Sequence, residues 1–368
     1  MKIVSIEAIP VRVPRERPDQ SSFGTRAYTE AGIVRIDTDT GITGWGEICL
    51  VWWRMGSGLC RDVNRLLAPA LCGEDPRAVS LLCDRMRQLL PGREDAPAIA
   101  GIEMALLDIC GKAAGVPVHQ LLGGAYRDRV PVSYSLHIKA PEAMAEEAAH
   151  YASAGYGTLK VKMGRTWAED LASLAAVRDA VGPHVSIRVD VNGAWTSVSE
   201  AVRRIAAMSE YDVELVEQPL HGDNLAGMAE LRRVSALPIA ADESVWNMRD
   251  ALEITQARAA DVLNLYFSEA GGLLQARAIA EIARSSGMAV WVGSMPELGL
   301  GTAANAHLAA AIPALELASD VCGFAYHADD ILVTPLVVEQ GSVAVPTGPG
   351  LGVEIDPKAL RRLRMADA

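Results

Sequence analysis

The chain has 368 residues, half of them apolar, and a formal net charge of −12. That length exceeds one small core and suits a large α/β domain with a smaller companion, while the acidic balance argues against nucleic acid or an anionic membrane as partner. No run approaches the roughly 18 apolar residues of a membrane span. The opening MKIVSIEAIPVRVP alternates, without the unbroken apolar core of a secretory leader, and the six cysteines form neither a CxxC nor a dense framework. The expectation is a cytoplasmic protein with reduced thiols.

Residues 1–125 read as an α+β domain. Two alternating segments, KIVSIEAIPVRVP and AGIVRIDTDTGITGWGE, bracket a polar stretch containing Ser21, Ser22 and Gly24, which predicts antiparallel strands around a long loop. Helical runs follow at 60–72, 76–90 and 97–114. From about residue 126 short apolar strands alternate with amphipathic helices, with strands predicted at 130–135, 158–163, 186–191, 214–218, 238–242, 261–266, 289–293 and 315–319. Regular alternation implies parallel strands joined by helical crossovers, and eight units fit a (β/α)8 barrel over 126–320. A doubly wound sheet is the alternative, but no GxGxxG follows the first strand. The tail, 321–368, carries Gly341, Gly348, Gly350 and Gly352 between short apolar stretches and is expected to pack back on the first domain.

In GTLKVKMG, 157–164, Lys160 and Lys162 occupy one face of the second barrel strand. An edge strand with a wet face would explain them, but a closed barrel has no edge. Barrel enzymes carry their working residues at the carboxyl ends of the strands. Those ends supply Asp190 in RVDVNGAW, Glu217 in VEQPL, Asp242 in ADES and Tyr266 in LNLYFSEAGG. Each acid alone could be a helix cap. Three at successive strand ends would repel one another unless a cation compensates, and all-oxygen donors suit Mg²⁺ or Mn²⁺ rather than Zn²⁺.

Together KVK, DVN, VEQP and ADES at successive strand ends resemble the muconate lactonizing subgroup of the enolase superfamily. GWGE at 44–47, the helix and turn at 101–124 and GSMPELGLGTAANAHLAAA at 293–311 extend the likeness over nearly the whole chain. The resemblance implies a barrel with an α+β capping domain, a small carboxylate substrate bound to Mg²⁺, Lys162 as the base that removes the α-proton, and Lys160 beside the substrate carboxylate. Lys160 and the metal would lower the Lys162 pKa by like-charge repulsion. It also implies lid loops at about 19–28 and 49–58, the second carrying Trp52, Trp53 and Arg54. The two tryptophans could wall a ring or amine or pack on the barrel rim, and Arg54 could be a surface charge.

Relatives that racemise carry a second lysine at the end of strand six, where this chain has Tyr266. Either Tyr266 packs or positions, leaving one base on the L side, or it is the acid for the far face. The first case leads to syn β-elimination of water from a hydroxylated amino or imino acid, specifically cis-3-hydroxy-L-proline; the second to a racemase or epimerase of proline derivatives or betaines. Asp320, where related dipeptide epimerases use an Asp-x-Asp pair for an ammonium, could hold a secondary amine, cap a helix or be a solvated acid. By the same resemblance Glu297 matches a family acid that could hydrogen-bond across the site; Trp195, just past Asp190, could border the pocket, and Asn192 and Gln218 are expected to orient the ligands. Barrels of this kind often associate, so a homo-oligomer is expected.

Overall fold

The computed structural model describes residues 1–21, 24–49, 55–313 and 315–366. Strand β1 (Ile3–Ser21) pairs antiparallel with β2 (Gly24–Thr38), which pairs with β3 (Thr43–Ile48). The alternating apolar residues seen in sequence are buried, with Val11, Val13 and Ile33 on one face of the sheet. Residues 19–21 and 24–28 of the predicted loop instead extend the two strands: after a shift in register between Pro14 and Asp19, pairing resumes at Asp19 with Arg26 and continues to Ser21 with Gly24, while Ser22 lies outside the described residues. Strand pairing satisfies the backbone groups that a long loop would leave to water.

Helix Ala96–Ala114 lies against this sheet and is buried on almost every side. Contact is so close at Gly46 that a Cβ there would fall 1.9 Å from the Gly101 carbonyl oxygen, which accounts for glycine in GWGE.

The barrel follows. β4 (Arg129–Pro131) turns outward to pair with a C-terminal hairpin of β12 (Val338–Glu339) and β13 (Ser342–Ala344). β5 (Ser133–Leu136), β6 (Thr158–Lys162), β7 (Ser186–Asp190), β8 (Val213–Glu217), β9 (Ile239–Ala241), β10 (Val262–Leu265) and β11 (Ala289–Val292) run parallel in chain order. The predicted first strand is thus split in two, and the predicted eighth, 315–319, is not a strand. Closure is made by two residues: Ser319 accepts from Ser133 N at 2.8 Å and donates to Pro131 O at 2.9 Å, and Asp320 N donates to Val292 O at 2.8 Å. The Ser319 hydroxyl accepts from Val292 N at 3.1 Å, taking the place of a ladder carbonyl. The barrel floor is filled by Leu215, Ala240, Val262 and Trp291, with the buried Arg188 guanidinium 4.9 Å from the Trp291 ring centroid.

Near the end of the chain, Met365 N donates to Pro10 O at 2.9 Å, and Arg364 forms a bridge with Val11. Two buried glutamates of the N-terminal half reach into the barrel. Glu103 accepts from Leu273 N at 2.5 Å and Leu274 N at 3.0 Å, at the start of helix Leu273–Ser285. Glu47 accepts from Leu298 N at 2.8 Å and Gly301 N at 2.7 Å, at the start of helix Gly299–Ala311. Each answers N–H groups that a helix start leaves without an internal partner. Gly272, at φ 135°, leaves the room that the Glu103 carboxyl fills, 2.4 Å from where a Cβ would lie.

Burial outweighs these backbone bonds and holds the Glu103 pKa up to about 7, from 4.5. Between those two values the folded chain keeps a proton that the unfolded chain has released, so this group makes stability fall as pH rises through the window. Glu103→Gln should flatten part of the fall in the urea midpoint between about pH 5 and 7; an unchanged slope would assign that dependence to other groups.

Candidate active site

Strand register brings the acids and lysines together. Lys162 pairs with Asp190 across β6 and β7, and Asp190 with Glu217 across β7 and β8. Glu217 pairs with Ala240, so Asp242, two residues further, turns to the same interior face. Ala240 in turn pairs with Val262, which sends Asn264 and Tyr266 inward on β10 and just beyond it.

Oxygens of Asp190, Glu217 and Asp242, all buried, lie within 4.8 Å of one another. Burial raises the Glu217 and Asp242 pKa values well above the usual carboxylate range, reinforced for Glu217 by Asp190 and for Asp242 by Glu243. Asp242 Oδ1 is buried without a hydrogen-bond partner. A compact set of hard oxygen donors, one of them unanswered, fits a divalent cation of the Mg²⁺ class.

Around the acids, Asn192 N donates to Asp190 Oδ1 at 2.9 Å and the Asn192 amide donates to Glu243 Oε1 at 3.0 Å. Gln218 accepts from Asp242 N at 2.9 Å and donates to Leu220 O and Ser244 Oγ, each at 2.8 Å, tying the ends of β8 and β9. Both residues thus orient the acids or their backbone.

Lys160, 3% exposed, has its ammonium 2.6 Å from Asp320 Oδ2 and 3.1 Å from Glu217 Oε2. Burial alone would lower its pKa, but Asp320 and Glu217 raise it well above the ordinary lysine value. Lys162 donates to Asp190 Oδ2 and to Asn192 Oδ1, the latter at 3.0 Å. Burial pushes the Lys162 pKa down and Lys160 adds to it, as like-charge repulsion requires, while Asp190 pushes it up, and among the protein's own groups the net shift is up.

Tyr266 is 8% exposed, against Cys49 and Met295. Its hydroxyl donates to Asp242 Oδ2 at 3.1 Å and accepts from the Asn264 amide at 2.9 Å, and that amide also donates to Glu217 Oε1 at 2.7 Å. Burial, then Asp242 and Glu217, push the phenol pKa well above 10.

Other predicted contacts sit differently. Both Asp320 oxygens are engaged, one by Lys160 and the other by the Ser133 hydroxyl, so Asp320 is the counterion of Lys160 and neither a cap nor a solvated acid. Lys160 holds its pKa below the ordinary value despite burial. Trp195 is buried in the apolar core, bridged to Leu220, with the Arg204 guanidinium 5.6 Å from its ring; packing, not the pocket border, is its setting. Glu297 is buried and accepts from Ser294 Oγ at 2.5 Å and Met295 N at 3.0 Å, bonds within its own turn. Trp52, Trp53 and Arg54 lie outside the described residues.

Three groups at the mouth escaped the sequence reasoning. Asn264 was signalled by inward alternation with Tyr266, and His137 by alternation with Ser133 beyond β5, where burial and then Lys162 and Arg15 depress its pKa well below the usual imidazole value. Glu243 follows Asp242 directly, and burial and Asp190 hold its pKa up to about 7. No helix among the described residues is long and apolar enough to cross a membrane.

Residues 4–123 match the model of the mandelate racemase/muconate lactonizing enzyme N-terminal domain, and residues 143–359 that of the enolase C-terminal domain-like family. The chain is 35% identical to L-Ala-D/L-Glu epimerase of Bacillus subtilis (strain 168), over 96% of this chain and 97% of that protein. It is 32% identical to N-succinyl-L-Arg/Lys racemase of Bacillus cereus, over 99% and 98%. Muconate lactonizing enzyme from Pseudomonas fluorescens, solved with muconolactone, matches with a TM-score of 0.95 at 33% identity, covering 99% of each chain. The chain therefore belongs to the mandelate racemase/muconate lactonizing enzyme family, within the muconate lactonizing subgroup of the enolase superfamily.

Proposed function

We propose that this enzyme is a hydro-lyase that removes the proton α to a carboxylate and expels a β-hydroxyl, with cis-3-hydroxy-L-proline as substrate. The observation that carries it is the asymmetry of the site. Lys162 stands on one side, whereas the position opposite holds Tyr266, whose hydroxyl is already bonded to Asp242 and Asn264. One amine base suits elimination, which abstracts a single carbon-bound proton.

In this reading the Lys162 amine takes the α-proton, the electron pair moves towards the carboxylate, and the bond from the β-carbon to oxygen breaks. The enamine formed tautomerises to a cyclic imine. Lys160, kept charged and fixed by Asp320, stands beside the substrate carboxylate. A Mg²⁺ ion held by Asp190, Glu217 and Asp242 would add positive charge there. The small apolar wall of Cys49 and Met295 beside Tyr266 suits ring methylenes.

The stereochemistry corrects the syn course expected from the sequence. In cis-3-hydroxy-L-proline the hydroxyl shares a ring face with the carboxylate, so it lies opposite the α-hydrogen, and loss of water is anti.

A second reading, an epimerase or racemase of proline derivatives or betaines, is favoured by the named activities of the B. subtilis and B. cereus relatives. It requires Tyr266 to exchange protons with the α-carbon.

Proton NMR in D₂O with Mg²⁺ separates the two. Conversion of cis-3-hydroxy-L-proline to a dehydrated product is expected. Deuterium entering L-proline or its betaine with inversion, and no dehydration, would establish the epimerase instead. Lys162→Ala should slow dehydration by about three orders of magnitude, the scale of a lost general base; a loss below about tenfold would show that another group takes the proton.

A further inference from the structure

We propose that Tyr266 delivers the proton to the departing 3-hydroxyl, and that its place opposite Lys162 selects the cis over the trans configuration at C3; this rests on the dehydratase reading above. Two independent constraints meet in it. Lys162 ends β6 and Tyr266 follows β10, four strands further round the closed barrel, so the two side chains reach the mouth from opposing walls. With the α-hydrogen turned to Lys162, anti geometry turns the cis-3-hydroxyl towards the Tyr266 side. In the trans isomer the hydroxyl would point back towards Lys162, away from any contact with the phenol.

The hydrogen bonds of the phenol leave it one hydrogen to give. Asn264 Nδ2 donates to its oxygen at 2.9 Å, which leaves the hydroxyl hydrogen as the group's outgoing donor, and that hydrogen now points to Asp242 Oδ2 at 3.1 Å. A departing hydroxyl beside Tyr266 offers the same hydrogen a second acceptor. The Asn264 bond would also stabilise the negative charge left on the phenol oxygen. Packing against Cys49 and Met295 holds the ring in place.

The step balances without a further reactant. The α-proton goes to the Lys162 amine and the carbon–hydrogen electron pair becomes the new double bond. The carbon–oxygen pair leaves with oxygen, and oxygen takes the phenol proton to depart as water. Lys162 then releases its proton to solvent and the phenolate regains one.

The test is Tyr266→Phe in the full Mg²⁺-loaded enzyme, after thermal melting has shown it folded. Dehydration of cis-3-hydroxy-L-proline should fall about a hundredfold, the lower end of an acid–base contribution, while solvent deuterium continues to enter the α-position of unreacted substrate. Cis-3-fluoro-L-proline expels fluoride, which needs no proton, so the variant should eliminate fluoride at close to the wild-type rate. Parallel loss of exchange, dehydration and fluoride release would make Tyr266 a support for Asp242 and overturn the proposal, as would undiminished dehydration. A wild-type enzyme that dehydrates trans-3-hydroxy-L-proline as readily as the cis isomer would contradict the selection of configuration. Absence of dehydration by the wild-type enzyme would instead remove the dehydratase reading, before any variant is made.

Discussion

Charge balance at the barrel mouth is the constraint on which the rest depends. Four buried acids, Asp190, Glu217, Asp242 and Asp320, face the buried Lys160 and the part-buried Lys162. Negative charge exceeds positive there, the more so with the neighbouring Glu243, and a divalent cation would offset this deficit of positive charge. Burying unmatched charge is among the most expensive things a fold can do, and the upward shifts of Glu217 and Asp242 express that cost. With a cation bound, the same arrangement would be chemically useful, since it would set positive charge where a carboxylate substrate must become more negative.

The scaffold holds this mouth from both sides. Register across β6, β7 and β8 sets Lys162, Asp190 and Glu217 level with one another. From the N-terminal half, Glu103 fastens the helix that follows the Tyr266 turn, and Glu47 fastens the helix that follows the Glu297 turn. Both glutamates cap helices with charge or hydrogen-bonding capacity at the positive end of the helix dipole. The N-terminal half therefore fixes the starts of the helices that follow β10 and β11, and GWGE is a docking device as much as a strand.

Much of this was legible in the sequence because strand alternation is a strict rule. KVK, and the acids at the ends of three successive strands, could be placed on one interior face from period two alone. Limits arose wherever pairing partners decide the outcome. Residues 315–319 read as a strand, but only Ser319 and Asp320 make ladder bonds, one of them through a side chain. The polar stretch around Ser21 read as a loop because its composition is that of a turn, whereas partners in β2 draw it into a hairpin. Asp320 could be located at the eighth strand end, but not its commitment to Lys160 and Ser133, which join residues 160 and 187 positions away. The push of Lys160 on Lys162 was legible, but the opposing contact with Asp190 was not, because it cannot be weighed without a distance.

The most direct test of the charge-balance account is calorimetric titration of Mg²⁺ into the metal-free protein and into Glu217→Gln. The account predicts one ion per chain for the wild type and no measurable binding for the variant. Equal binding by both proteins would place the cation elsewhere and contradict the assignment of the deficit to this cluster.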